Sequence, residues 1–433
     1  MNNQIPVTLN VQSLAQAMLA KSGLRSVFHL MISVVMGILE GAFQAPTDYV
    51  FVLDCSGSTG KVLGEAGTIL EVSQQSADTA LNKLGPQDRV AVVQFDDRCS
   101  EKDVLLPFTT VDHAGKAAAS NAIYRVGSTR HGGTIYESAL ERALSLFTDD
   151  AGRKKVIMFF TDGQDFGADP LPVCQRIQAA GITLFIGGLG VENQYEKLLD
   201  AMAGANFKSL NNASEVEQFF ADAQAQAALA AVTNARLSIS PVTFATVNNF
   251  ELVTRGGQPN YVPADNTGKV VQVGDISVGD VMQNYLALGI VLPEDIKAGR
   301  RAFGKIELYG DVASLGLKDH LLASTPIAVL FTDQPVAGLN DDVKSMINVA
   351  ATSRELYLAG QAGDATTMNE HLKNARKTVA FSNDAVMQAL AASLRDIEQK
   401  VANDPAQAQK QARRATKGFS AADAAAALNA SRT

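Results

Sequence analysis

Cysteine is scarce in this chain. Cys55, Cys99 and Cys174 are the three present among 433 residues, scattered and odd in number. They do not make a disulfide framework, and a reducing cytoplasm is the simpler compartment for them. An excess of positive charge is also lacking. Lys plus Arg number 37 against 45 for Asp plus Glu, a net charge of −8, which argues against nucleic acid or an anionic membrane surface as a broad partner. No apolar run is long enough to span a bilayer. Val27 to Leu39 comes nearest, with Lys21 and Arg25 upstream, and loosely resembles a signal peptide. It is too short to cross and His29 interrupts it, and Phe43 spoils a small-x-small cleavage site at Ala45. A buried strand is expected there instead.

What remains is globular. Hydrophobic residues make up 46% and charged residues 19%, outside the disordered range, and the length fits roughly three domains. Val7, Leu9 and Val11 alternate as a half-buried strand, and Ser13 to Lys21 reads as a short helix or a loop. From Tyr49 to about Gln226, strands and amphipathic helices alternate. The strands are Tyr49–Leu53, Arg89–Phe95, Val104–Phe108, Lys155–Thr161, Thr183–Leu189 and Phe207–Leu210. The helices between them begin with Val62–Leu84, in which Ile69, Val72, Ala80 and Leu84 form an apolar stripe while Glu71, Gln74, Asp78 and Lys83 face out. Such alternation predicts a mainly parallel, doubly wound α/β sheet.

After Ala231 the period changes to 2, and runs such as Tyr285–Leu292, Ala302–Tyr309 and Ile327–Phe331 predict an antiparallel β-sandwich. The two N-terminal strands have no neighbours of their own and are expected to join it, making the α/β domain an insertion. From Asn340 the pattern is helical, first as an αα-hairpin and then as a third stripe over Val386–Val401. The expected domains are 1–46 (sandwich strands), 47–228 (α/β), 229–335 (sandwich) and 336–433 (helical). Lys410, Arg413, Arg414 and Lys417 form a basic knot near the end, read as a solvated helix face.

The chemistry centres on Asp54-Cys-Ser56-Gly-Ser58, where an apolar strand stops at an aspartate. Side chains two apart in an extended chain point the same way, so Asp54, Ser56 and Ser58 can offer one carboxylate and two hydroxyls to one point. An all-oxygen cluster suits a hard divalent cation. Gly132-Gly133-Thr134 precedes a helix, and Phe159-Phe160-Thr161-Asp162-Gly163 repeats the design of a strand ending in Asp then Gly. The same sheet edge therefore gathers Asp54, Ser56, Ser58, Thr134 and Asp162. Read alone, the stretch Asp54-Cys-Ser56-Gly-Ser58 is also explained as a turn whose Ser and Asp side chains bond local backbone. Ser58-Thr-Gly60-Lys61 has the wrong spacing for a phosphate loop, and His131 has no nucleophile–His–acid order around it. Cys55 is expected to point into the core, and Asp165 and Asp169 are read as solvated loop acids.

These pieces together resemble the von Willebrand factor type A domain with its metal-ion-dependent adhesion site. More loosely, the split sandwich, Gly274-Asp-Ile-Ser-Val-Gly-Asp280 and the helical end resemble bacterial single-chain proteins similar to the core of inter-alpha-trypsin inhibitor heavy chains. The resemblance implies Mg2+, or Mn2+ or Ca2+, ligated directly by Ser56, Ser58 and Thr134, with Asp54 and Asp162 direct or through water. It also implies an open position for an acidic residue of a partner protein, such as an ATPase, a kinase or another regulatory protein. A non-enzymatic cation-dependent binding or scaffold protein is the expectation. The alternatives are a metal-dependent hydrolase, which lacks a clear general base, and a protein whose metal merely stiffens the sheet edge.

Overall fold

In the computed structural model the described residues are 5–15, 17–19, 25–37, 45–62, 67–128, 132–150, 152–163, 165–191, 193–203, 206–292, 297–333, 338–379, 385–401 and 403–417. The chain forms two compact units, one of Met1–Leu39, Ala235–Gly310 and Asp319–Thr433, the other of Glu40–Asn234 and Asp311–Lys318.

The first unit begins with β1 (Val7–Ser13), β2 (Met18–Leu19) and β3 (Arg25–Met36). Where a short helix was one expectation after Ser13, the chain turns and pairs. The Ser13 hydroxyl donates to the Ala15 carbonyl at 2.7 Å, a local bond that competes with helix formation. The second unit takes up the next six strands, β4 (Thr47–Asp54), β5 (Arg89–Phe95), β6 (Val104–Thr110), β7 (Lys154–Thr161), β8 (Thr183–Leu189) and β9 (Phe207–Leu210). Its helices are α1 (Ile69–Lys83), α2 (His113–Arg125), α3 (Tyr136–Leu146), α4 (Leu171–Ala179), α5 (Asn193–Ala203) and α6 (Ala213–Leu229).

The strand order is β6-β5-β4-β7-β8-β9. All neighbours are parallel except β5 and β6, which run antiparallel. Alternation along β4 explains the helices on both faces. Phe51 and Leu53 join the core under α1, α2 and α6, while Val50 and Val52 join the one under α3, α4 and α5. Every residue of β4 and β7 is buried, as a strand covered on two sides requires. Chain progression reverses between β4 and β7, and the crevice beyond their carboxyl ends is where open sheets of this winding bind ligands.

Helix α1 starts seven residues later than periodicity predicts. Gly67 holds φ +109, and Thr68 and Glu71 close a capping box at the first turn, which fixes the start. Gln74, expected to face out, is buried, and its amide donates to the Val126 carbonyl at 3.0 Å.

The first unit resumes within β10 (Ala230–Pro241) and takes in β11 (Ala245–Arg255), β12 (Gln258–Pro263), β13 (Val270–Ser277), β14 (Val281–Val291) and all of β15 (Gly299–Val312) and β16 (Leu317–Thr332) but their junction at Asp311–Lys318. Two five-stranded sheets form, β1-β3-β14-β11-β12 and β13-β10-β15-β16-β2. The N-terminal strands do enter the sandwich: β3 pairs with β14 over eleven residues. Phe28 of one sheet stacks on Phe303 of the other at 5.8 Å between ring centres.

Helices α7 (Asp341–Gln361), α8 (Ala365–Val379), α9 (Ala385–Val401) and α10 (Pro405–Ala415) complete this unit. They share a core with Met31, Val253, Tyr285 and Ala287 of the first sheet. Arg354 of α7 pairs with buried Glu251, which also accepts from the Tyr261 hydroxyl at 2.7 Å. The basic knot on α10 is not a uniformly solvated face. Arg413 is buried and donates to the Gly360 carbonyl at 3.0 Å, because Gly360 lets the two helices approach closely. Arg414 alone of the four is exposed.

Candidate metal centre

Strand β4 ends at Asp54, whose side chain is 3% exposed. One carboxylate oxygen accepts from the Ser56 N–H at 2.8 Å and the other from the Thr161 hydroxyl at 2.7 Å. Cys55 turns into the core as expected, its thiol 3.2 Å from the Phe95 carbonyl. The chain does not stay extended after Ser56. Residues Gly57–Gly60 form a 3-10 turn, locked by buried Thr59, whose hydroxyl donates to the Ser56 carbonyl at 2.7 Å. That turn, rather than strand alternation, brings the Ser56 and Ser58 hydroxyls to 3.0 Å from each other.

Thr134 is 1% exposed and lies two residues before α3. Its loop is tied on three sides. Gly57 donates to the Gly132 carbonyl at 2.9 Å and Phe166 to the Thr134 carbonyl at 3.0 Å. At the end of β5, Asp96 accepts from the Gly132 N–H on its carboxylate at 3.2 Å and from the Ile135 N–H on its carbonyl at 2.8 Å. Helix α3 has no side-chain cap of its own. Asp165 supplies the missing acceptor from the β7–α4 loop, 3.2 Å from the Tyr136 N–H, which satisfies an otherwise orphaned donor. Asp165 is thus a structural clasp rather than a merely solvated acid, while Asp169 accepts from the Leu171 N–H at 3.0 Å. His131 lies outside the described residues.

Asp162 is the unusual member. It is 5% exposed, and neither carboxylate oxygen has a hydrogen-bond partner. Burying a polar group unpaired costs about 2–7 kcal/mol, and more if it is ionised. Its charge also reaches Asp54. Burial pushes the Asp54 carboxyl up to about 7, hydrogen bonds from Ser56 and Thr161 pull it back, and the Asp162 charge adds to the rise. Two buried acids, one of them unpaired, and the hydroxyls gathered at this edge fit a hard divalent cation. Among the described residues no three His, Cys, Asp or Glu side chains gather as a metal cluster. The candidate donors here are two carboxylates and three hydroxyls.

Two residues that motif reading passes over orient Asp54. The Thr161 hydroxyl gives its single proton to Asp54, so Tyr136 must donate in its 2.9 Å contact with Thr161. The Gly163 N–H, at 3.2 Å, fills the second acceptor position of Thr161. The hydroxyl's one donor and two acceptors are then all used. Thr161 stands beside Asp162 in sequence and was open to inspection. Tyr136 carries no local signal, since the contact exists only once α3 packs over β7.

Comparison with known proteins accords with this architecture. Residues 48–229 match the family model described as the von Willebrand factor type A domain. A solved structure described as von Willebrand factor type A from Catenulispora acidiphila superposes at a TM-score of 0.70 with 19% identity, covering 96% of this chain and 98% of that one. The ArnB paralog VWA2 from Sulfolobus acidocaldarius superposes at 0.57 with 16% identity, covering 95% and 98%. At such identities the likeness is one of fold.

Proposed function

We propose, from the premise that residues 48–229 form a von Willebrand factor type A domain, that the chain is a non-enzymatic, divalent-cation-dependent protein-binding or scaffold protein. Asp54, Ser56, Ser58, Thr134 and Asp162 would hold Mg2+, or Mn2+ or Ca2+, with the three hydroxyls direct and the carboxylates direct or through water. When bound, the cation supplies an open coordination position that a partner's Asp or Glu completes. The observation that carries this reading is Asp162, a carboxylate buried with both oxygens unpartnered, which a cation would satisfy.

The chain's own residues support binding over turnover. Thr161 spends its proton on Asp54 and Tyr136 spends its proton on Thr161, so neither hydroxyl stands ready as a proton donor to a substrate. Asp96 and Asp165 pin the Thr134 loop at Gly132 and at Tyr136, which preorganises it for a ligand. Among the described residues no helix is long and apolar enough to cross a membrane. A cytoplasmic setting is the proposal that the scattered cysteines support.

The test is a pull-down from native cells using the full chain, with Mg2+, with EDTA, and with Asp54→Ala in Mg2+. A partner retained in Mg2+ and lost in the other two arms is expected. Equal recovery in all three would sink the reading, and turnover of a substrate that requires Asp54 would favour the hydrolase.

A further inference from the structure

We infer that Val62 and Phe166 form an apolar rim beside the metal centre, and that it selects partner segments whose acidic residue is flanked by large apolar side chains. The inference rests on the metal-bridge reading and names the class of partner. Val62 is 71% exposed and Phe166 is 70% exposed, the two most exposed large apolar side chains among the described residues. Scattered exposed apolar residues are ordinary. These two are not scattered with respect to the site, since Val62 stands four residues after Ser58 and Phe166 four after Asp162.

Both are also held on fixed backbone. Phe166 donates its N–H to the carbonyl of Thr134, and the preceding Asp165 carboxylate binds the N–H groups of Tyr136 and Gly167. Val62 forms a bridge with Thr68, the capping residue of α1, and the neighbouring Lys61 bonds Ser58 and Ile69 through its backbone. An apolar side chain on backbone that is already fixed adds no loop-ordering cost when a partner covers it. Of the two, the aromatic Phe166 is the anchor type, and Val62 widens the apolar area it offers.

Charge narrows the choice further. Exposed Asp97 and Asp169 are set against exposed Lys61 and Arg98 on the loops of this sheet edge, so the mixed charge gives no pull to a run of acids beyond the one that meets the metal. The fitting occupant is a protein segment with one Asp or Glu between residues such as Leu, Ile, Val, Met or Phe.

The experiment displays peptides with a fixed central Glu and randomised flanks, and selects them on the full chain in Mg2+ and, in parallel, in EDTA. Apolar flanks should be enriched. The double variant Val62→Ser, Phe166→Ser should melt at the same temperature and take up Mg2+ with the same affinity. It should bind the best peptide about tenfold or more weakly, the scale of losing an interface anchor. Polar or acidic flanks, or equal binding by the double variant, would overturn the rim. If apolar-flanked peptides bind the same with EDTA present, the metal bridge fails while the rim survives. If no peptide is enriched under either condition, both fall.

Discussion

Removing one hydroxyl tests how Asp54 is held. Thr161→Val is nearly isosteric, so it opens no cavity, but it deletes the centre of the chain from Tyr136 to Asp54. Three buried groups then lose their partner: the Asp54 oxygen at 2.7 Å, the Tyr136 hydroxyl at 2.9 Å and the Gly163 N–H at 3.2 Å. Each orphaned buried group costs about 1–3 kcal/mol. A loss of roughly 3–9 kcal/mol in the second unit is expected from the three, a large share of the 5–15 kcal/mol typical of a domain. Tyr136→Phe removes one bond and leaves Thr161 otherwise paired, for about 1 kcal/mol. The double variant should cost less than the sum by about 1–2 kcal/mol, because Tyr136 is no longer there to be orphaned. Native-state hydrogen exchange of β4 and β7 in EDTA reads this unit separately from the sandwich. A Thr161→Val change within about 0.5 kcal/mol of wild type, or strict additivity, would refute the relay.

The remaining predictions are brief. Asp162→Asn removes an unpartnered buried charge, so in EDTA its melting temperature should equal or exceed that of wild type. The rise that Mg2+ produces in wild type should vanish, which thermal melts with and without MgCl2 will show. Gly115→Ala improves helix propensity by about 1 kcal/mol. It would nevertheless drive a methyl group into the Thr110 carbonyl and should lower stability by about 1–3 kcal/mol net of that gain, as read by urea unfolding. Burial holds His29 below its ordinary 6.5. Below pH 6.5 the unfolded chain therefore binds a proton that the folded chain refuses, and stability falls as pH falls from there. His29→Gln should flatten this acid limb in melts taken across that range.

Legibility in the sequence followed the physics of burial. The α/β unit was readable because its strands are apolar on both faces and its helices on one. The sandwich strands were read too short. Lys318, Asp319, His320 and Leu321 open β16 exposed to solvent, so no apolar alternation marks them, and β12 was missed between the turn glycines and Pro263. Around the site, Asp54, Ser56, Ser58, Thr134 and Asp162 stood out because each sits in a local strand-end or helix-start pattern. Tyr136, Asp96 and the clasp by Asp165 did not, because their partners lie 25 to 36 residues away and meet only through sheet order. Arg413 misled for the same reason, its carbonyl partner being 53 residues distant.

The central claim is that this sheet edge holds a divalent cation through Asp162 and its neighbours. Equilibrium titration of Mn2+ into EDTA-stripped full chain, followed by electron paramagnetic resonance, tests it most directly. The account predicts a single saturable site in wild type that is lost in both Asp54→Ala and Asp162→Ala while the fold persists by circular dichroism. Undiminished Mn2+ uptake by those variants, or none by wild type, would contradict it.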